Sequence, residues 1–301
     1  MTPQWRKHIF VSFLCLVGPF HQESEADTLS RMRESSTLKL GYSPNSAPFS
    51  FNINGKPAGY MIDVCQRIAE RIKAQSRIID LAVSFVEIPK GDGVGEVREG
   101  KVDLMCTPSV ETLSARKFVS YTIPVFTAGL TALVRKDAPG DLLHTLNAKV
   151  PNFGPTWRAT ITRGLSNHSY AVLAGSITEK WIHERINTLG LNATVVTVEN
   201  YAAGVDLISQ KKVSAFFADR MALLSYTLKS SAADEVQVVD ALYEVMPVAM
   251  VVDRQDEDFR LMVDSSLSDL YRSGSISKLY TSYFGEPTDV NRMMFKLYAL
   301  P

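Results

Sequence analysis

One stretch, Val102–Arg135, constrains the fold of this 301-residue chain more than any other. It opens on Val102–Cys106, a short apolar run that reads as a buried strand. A turn rich in hydroxyls follows, with Thr107, Ser109, Thr112 and Ser114, and then the basic pair Arg116 and Lys117. A strand that stops at hydroxyl and cationic groups is where an open α/β sheet places a ligand. The extended run behind it, Tyr121–Val134, exceeds the roughly 5–6 residues of an ordinary strand. Its length predicts a crossing between two lobes.

Strands and helices alternate on both sides of that stretch. Leu38–Tyr42 reads as the first strand, and Asn54-Gly55 as a hairpin turn between arms Phe49–Ile53 and Lys56–Tyr60. Asp63 is expected to cap a helix whose inward positions are Cys65, Ile68, Ala69 and Ile72. Val83–Ile88 is a second strand, and Gly93–Gly100 a short helix. Beyond Arg135, strands Tyr170–Ala174, Thr194–Val198 and Ser214–Ala218 alternate with helices carrying Trp181, Ile182, Ile186 and Leu189, and spanning Tyr201–Gln210. Val236–Val239 is a further strand, and Val245–Val252 a return crossing. Helices around Phe259–Leu270 and after Gly274-Ser275 follow, with a loosely packed tail from Thr288 to Pro301. Residues 150–169, with Trp157 and Arg158, have no period and read as an inserted surface loop. This alternation predicts an α/β fold of mostly parallel sheets with helices on both faces.

The N-terminus has a basic start at Arg6 and Lys7, an apolar run from Ile9 to Val17, and a small-x-small exit at Ser24-Glu25-Ala26. That is the pattern of a cleavable secretory signal peptide, residues 1–26, and the apolar run is far short of the ~20 residues a membrane span needs. The charge is balanced, 32 basic against 32 acidic side chains, and the leader carries two of each. Neutrality without a basic block argues against nucleic acid as a partner. After cleavage only Cys65 and Cys106 remain of three cysteines. In an oxidising compartment they are expected to form a disulfide, the other reading being two buried thiols.

Two polar turns and one strand end carry binding chemistry. Gly175-Ser176-Ile177-Thr178-Glu179 puts hydroxyls and backbone N–H groups at a helix start, a carboxylate site in one reading and a capping box in the other. Asp219, at the end of a strand, offers an anion for a ligand ammonium or a cap for the helix that follows.

These motifs resemble those of family 3 solute-binding proteins, the polar amino-acid-binding components of bacterial ABC importers. The family's T-x-T-x-x-R frame and its F-S-x-P segment fall on Ser109/Val110, Thr112 and Tyr121-Thr122-Ile123-Pro124. The family's ligand-carboxylate arginine falls on Ala115, with Arg116 one place late. The opening Leu38–Tyr42 with Pro48-Phe49 and Gly59-Tyr60, and the segment Ala215–Asp219, also fit. The resemblance implies a bilobal periplasmic-binding-protein fold: two mostly parallel sheets joined by two hinge strands. Lobe 1 would comprise residues 37–126 and 249–301, and lobe 2 residues 127–248. It further implies that a small amino acid or related zwitterion is gripped as the lobes close. Phe49 or Phe51 would cover its side chain, unless they are core aromatics. Ser109, Thr112, Arg116, Ser176 and Thr178 would meet its carboxylate, and Asp219 its ammonium, with Tyr201 a further contact. The expected partner is the membrane permease of an ABC importer, the expected state a monomer, and the expected location the periplasm.

No nucleophile–base pair, P-loop, dinucleotide glycine pattern or zinc helix stands out; His144, His168 and His183 are scattered. Nothing requires a metal or an organic cofactor. The same architecture also resembles that of the periplasmic cyclohexadienyl dehydratases, for which Glu111 would be the acid, a solvated turn residue being its other reading. A ligand-sensing subunit is a third class.

Overall fold

The computed structural model describes residues 27–78, 80–88, 93–147 and 164–301. The expected leader and most of the 150–169 segment, including Trp157 and Arg158, lie outside the described residues. Strand β1 (Thr37–Tyr42) leads into β2 (Asn45–Ser46), β3 (Ser50–Ile53) and β4 (Lys56–Ala58), which form a small antiparallel sheet. Its hairpin turns at Asn54-Gly55, both with positive φ, as that dipeptide demands. Helix α2 (Tyr60–Ser76) follows α1 (Thr28–Ser35) in the chain and starts directly after Gly59. Gly59 has φ +122°, and a Cβ there would lie 2.4 Å from the Phe49 carbonyl oxygen, so only glycine fits. This corrects the expected start at Asp63, which lies inside the first turn and accepts from the Tyr283 hydroxyl at 2.7 Å.

The main sheet is one hydrogen-bonded path. Parallel strands β1, β5 (Ala82–Glu87) and β6 (Leu104–Val110) form one flank, and a short helix, α3 (Val94–Arg98), precedes β6. β6 runs on to Val110, four residues beyond the expected end at Cys106, because a later strand pairs with it at Ser109 and Val110. Thr107 and Ser109 are therefore strand residues, not turn residues. The long extended run is broken into β7 (Val119–Tyr121) and β8 (Phe126–Arg135), with Pro124 between them. Helix α4 (Gly140–Asn147) precedes the second flank, β9 (His168–Leu173), β10 (Ala193–Val198), β11 (Ala215–Asp219) and β12 (Val236–Val238). There β10–β9 and β9–β11 are parallel, whereas β8 meets β11 and β12 antiparallel.

Two crossing strands join the flanks. β13 (Glu244–Asp253) pairs antiparallel with β8 from Glu244↔Leu130 to Val248↔Phe126, then continues against β6 and β7. The resulting order is β10-β9-β11-β8-β13-β6-β1-β5. Apolar clusters fall on both faces of each flank. Met250 and Val252 of β13 point into the cluster with α2, while Ala249 and Val251 enter the opposite one. β8 alternates likewise, Ala132 and Val134 to one face and Leu133 to the other. Strands buried on both faces are nearly all apolar, which is why these two crossings read as continuous hydrophobic runs.

The remaining helices cover these faces: α5 (Ile177–Leu189), α6 (Tyr201–Ser209), α7 (Arg220–Lys229), α8 (Glu257–Arg272), α9 (Ser275–Phe284) and α10 (Asp289–Tyr298). Two departures from expectation are at the ends. Helix α1, which the sequence did not announce, is held by Asp27 accepting from Ser30 N and by Thr28 N donating to Asp256. Its Arg31 pairs with Asp103 at 2.8 Å. The tail is not loose: α10 packs Phe295 against Tyr271 and Tyr280, while Met293 stays exposed. Cys65 of α2 and Cys106 of β6 are bonded as a disulfide. Among the described residues no helix is long and apolar enough to cross a membrane.

Candidate functional site

A cavity of about 150 Å³ lies where β6, β8, β11 and β13 converge. Drug-sized ligands occupy sites of roughly 300–1,000 Å³, so this one suits a smaller solute. Phe49, Phe126, Val110 and Val248 form apolar walls from the first flank and the crossing strands. Tyr201, Asp219 and Ala222 contribute the opposite wall. Of the residues singled out in the sequence, the structure brings Phe49, Tyr201 and Asp219 together here.

Asp219 ends β11 and caps α7. One carboxylate oxygen accepts from Met221 N at 2.9 Å and Ala222 N at 3.1 Å, and the other from Gly129 N at 3.2 Å. A carboxylate has about four acceptor directions, so three N–H donors leave room for one more. Burial in the cleft pushes its pKa from 3.8 up to about 6, and the three N–H bonds only partly offset that. Tyr201 stacks on Tyr226 with ring centroids 5.1 Å apart. Its hydroxyl pKa is raised, by burial first and by the charge of Asp219 second. Phe49 is nearly fully buried against Phe126 and Phe284, at 4.8 and 5.4 Å, so it is a core aromatic that also faces the cavity.

Side chains also meet across the mouth. The Tyr226 hydroxyl donates to the Asn45 carbonyl at 3.3 Å, and Lys229 Nζ lies 5.6 Å from the centre of the Phe51 ring. Phe51 thus faces a lysine of the second flank and does not line the cavity.

The other expected contacts are engaged elsewhere. Ser109 is buried in β6, its hydroxyl donating to the Thr107 carbonyl. Thr112 Oγ1 accepts from Ala115 N at 3.1 Å and closes the turn. Arg116 forms an ion pair with Glu111 and is half exposed. Ser176 Oγ accepts from Glu179 N, and the Glu179 carboxylate accepts from Gly175 N, so this helix start caps itself. Thr178 is half-buried in the first turn of α5. None of these five side chains lines the cavity. Conversely, Ser46, Ala47, Pro108, Val110, Phe126, Ala128, Ala222 and Val248 do, and sequence reasoning missed them. Nothing distinguishes a cavity-facing Val248 from a core valine along a strand; only pairing partners do. Among the described residues no cluster of side chains could hold a metal ion.

Known proteins share this fold. The chain is 22% identical to the L-glutamate/L-aspartate-binding protein of Pseudomonas aeruginosa, over 90% of its own length and 84% of that protein's. It is 20% identical to the glutamate/aspartate import solute-binding protein of Salmonella typhimurium, over 90% and 85% of the two chains. In structure it resembles the ancestral amino acid-binding protein AncCDT-1, described as a precursor of cyclohexadienyl dehydratase. That likeness has a TM-score of 0.67 at 24% identity, over 86% of this chain and all of that one. A mutant of ArgBP from T. maritima superposes with a TM-score of 0.65 at 20% identity, over 86% of this chain and 99% of that one. Residues 38–286 match the model of the bacterial extracellular solute-binding proteins, family 3, and with a match of that extent the chain belongs to that family.

Proposed function

We propose that this protein captures a small amino acid, or a related ammonium-bearing solute, between two lobes and delivers it to the permease of an ABC importer. The lobes are residues 37–126 with 249–301, and residues 127–248. The protein acts as a monomer in the periplasm, after export and removal of residues 1–26. The observation that carries this reading is Asp219, whose carboxylate faces a small cavity between the flanks with acceptor capacity beyond its three backbone donors. A charge-assisted bond to an ammonium satisfies that capacity in a partly dry site. Phe49 and Tyr201 form the aromatic walls that bury the rest of the solute. The curated relatives, named for glutamate and aspartate, support an amino acid as the solute class.

Contacts made to both lobes at once stabilise the closed form, which is the form a permease would recognise. The direct test is Asp219→Ala. Titration calorimetry should show at least a tenfold loss of affinity with an unchanged circular-dichroism spectrum, and an unchanged dissociation constant removes Asp219 from the site. Dehydratase chemistry on this fold finds little support, because Glu111 is paired with Arg116 and does not line the cavity. Prephenate or arogenate incubated with the protein should remain intact, as followed by absorbance; their loss would make the chain an enzyme.

A further inference from the structure

Among its described lining residues the cavity carries charge of one sign only. Asp219 is the single acid among them, and they include no lysine, arginine or histidine. Ala115, in the turn after β6, packs against the apolar cluster of Val97, Val102 and Met105. The neighbouring cations are committed elsewhere: Arg116 to Glu111, Lys229 to the Phe51 ring, and Arg220 to the Val239 carbonyl and Asp240. The helix start at Ser176 is closed by its own cap. Among the described lining residues a ligand carboxylate meets one negative charge and no base, whereas a cation meets Asp219 and the aromatic rings of Phe49 and Tyr201.

We infer that the cavity selects solutes of net positive charge: alkylamines, or amino acids whose carboxyl is masked as an amide or ester. Like-charge juxtaposition is how a site rejects a near relative of its ligand. A free α-amino acid places its carboxylate a few ångströms from the ammonium that Asp219 holds, and so inside the reach of the same negative charge. The amide of that acid has the same shape without the repulsion. The preference is thus written in the difference between two nearly isosteric compounds. This inference rests on the reading that Asp219 grips an ammonium in the interlobe cavity.

The test is titration calorimetry at pH 7 on the processed chain, with matched series: L-alanine, L-alaninamide and ethylamine; L-leucine, L-leucinamide and isopentylamine. The amide and the amine should each bind at least about tenfold tighter than the parent acid. Asp219→Asn should abolish that preference, and Arg116→Ala should leave every affinity unchanged. Parent acids that bind as tightly as their amides overturn the inference while leaving amino-acid capture standing. So does a selective loss of amino-acid affinity in Arg116→Ala, which would mean that the arginine turns into the cleft on binding. If no member of either series binds, capture of ammonium-bearing solutes itself falls, and this inference with it.

Discussion

In the proposed site Asp219 sets both the chemistry and a cost. Its pKa is about 6 in the folded chain, above the ordinary 3.8, because the cleft walls withdraw water from the charge. As pH rises from about 4 through 6, the unfolded chain releases a proton that the native chain retains, so this group's contribution to stability falls over that window and is flat above it. A cationic ligand needs the ionised form. Affinity should therefore be constant above about pH 7 and weaken towards tenfold per unit well below pH 6, as measured by calorimetry across pH. Asp219→Asn keeps one acceptor oxygen for the α7 cap and carries no charge, while its NH2 cannot accept from Gly129 N, so it should show weak binding that no longer varies with pH. Retained affinity with the parent's pH profile would contradict this. This residue was legible as a strand-end anion. The destination of Arg116 was not, because a long guanidinium reaches several partners and only the folded turn brings Glu111 beside it.

Among elements, the pairing of α2 with β6 is fastened covalently. The Cys65–Cys106 bridge closes a sequence separation of 41 residues. The chain-entropy model assigns about 4 kcal/mol to a loop of that length. Denaturant unfolding of the Cys65→Ser, Cys106→Ser double variant should show a loss of that order, and a loss under about 1 kcal/mol would mean that strand and helix packing already fix this pair. Elements with a buried face were readable, since burial imposes a period on the residues that face the core. Helix α1 was not, because its mean composition is polar and its support comes from Asp256 and Asp103, distant in the chain. β13 holds Pro247 where a proline would ordinarily argue against a strand; the residue sits at the crossing, and its carbonyl still accepts from Glu111 N.

At the scale of the molecule, two crossing strands carry one flank against the other, and the Tyr226–Asn45 and Lys229–Phe51 contacts bridge the mouth. If the lobes open as proposed, these contacts break, so they would hold the ligand-free protein towards closure. The Tyr226→Phe, Lys229→Ala double variant should show a larger radius of gyration by X-ray scattering without ligand, and an affinity several-fold weaker, with the bound-state radius unchanged. An identical ligand-free radius would show that the bridge is incidental.

The sequence by itself determined the alternation of strands and helices, the two long crossings and the anion at the end of β11. Each follows from local periodicity, turn chemistry or spacing, which act within a few residues. Tertiary structure alone decided which side chains face the cavity, that Ser176 and Thr112 close their own turns, and that no base stands opposite Asp219 among the described lining residues. Those outcomes depend on strand register and on contacts between residues far apart in the chain, and no local pattern encodes them.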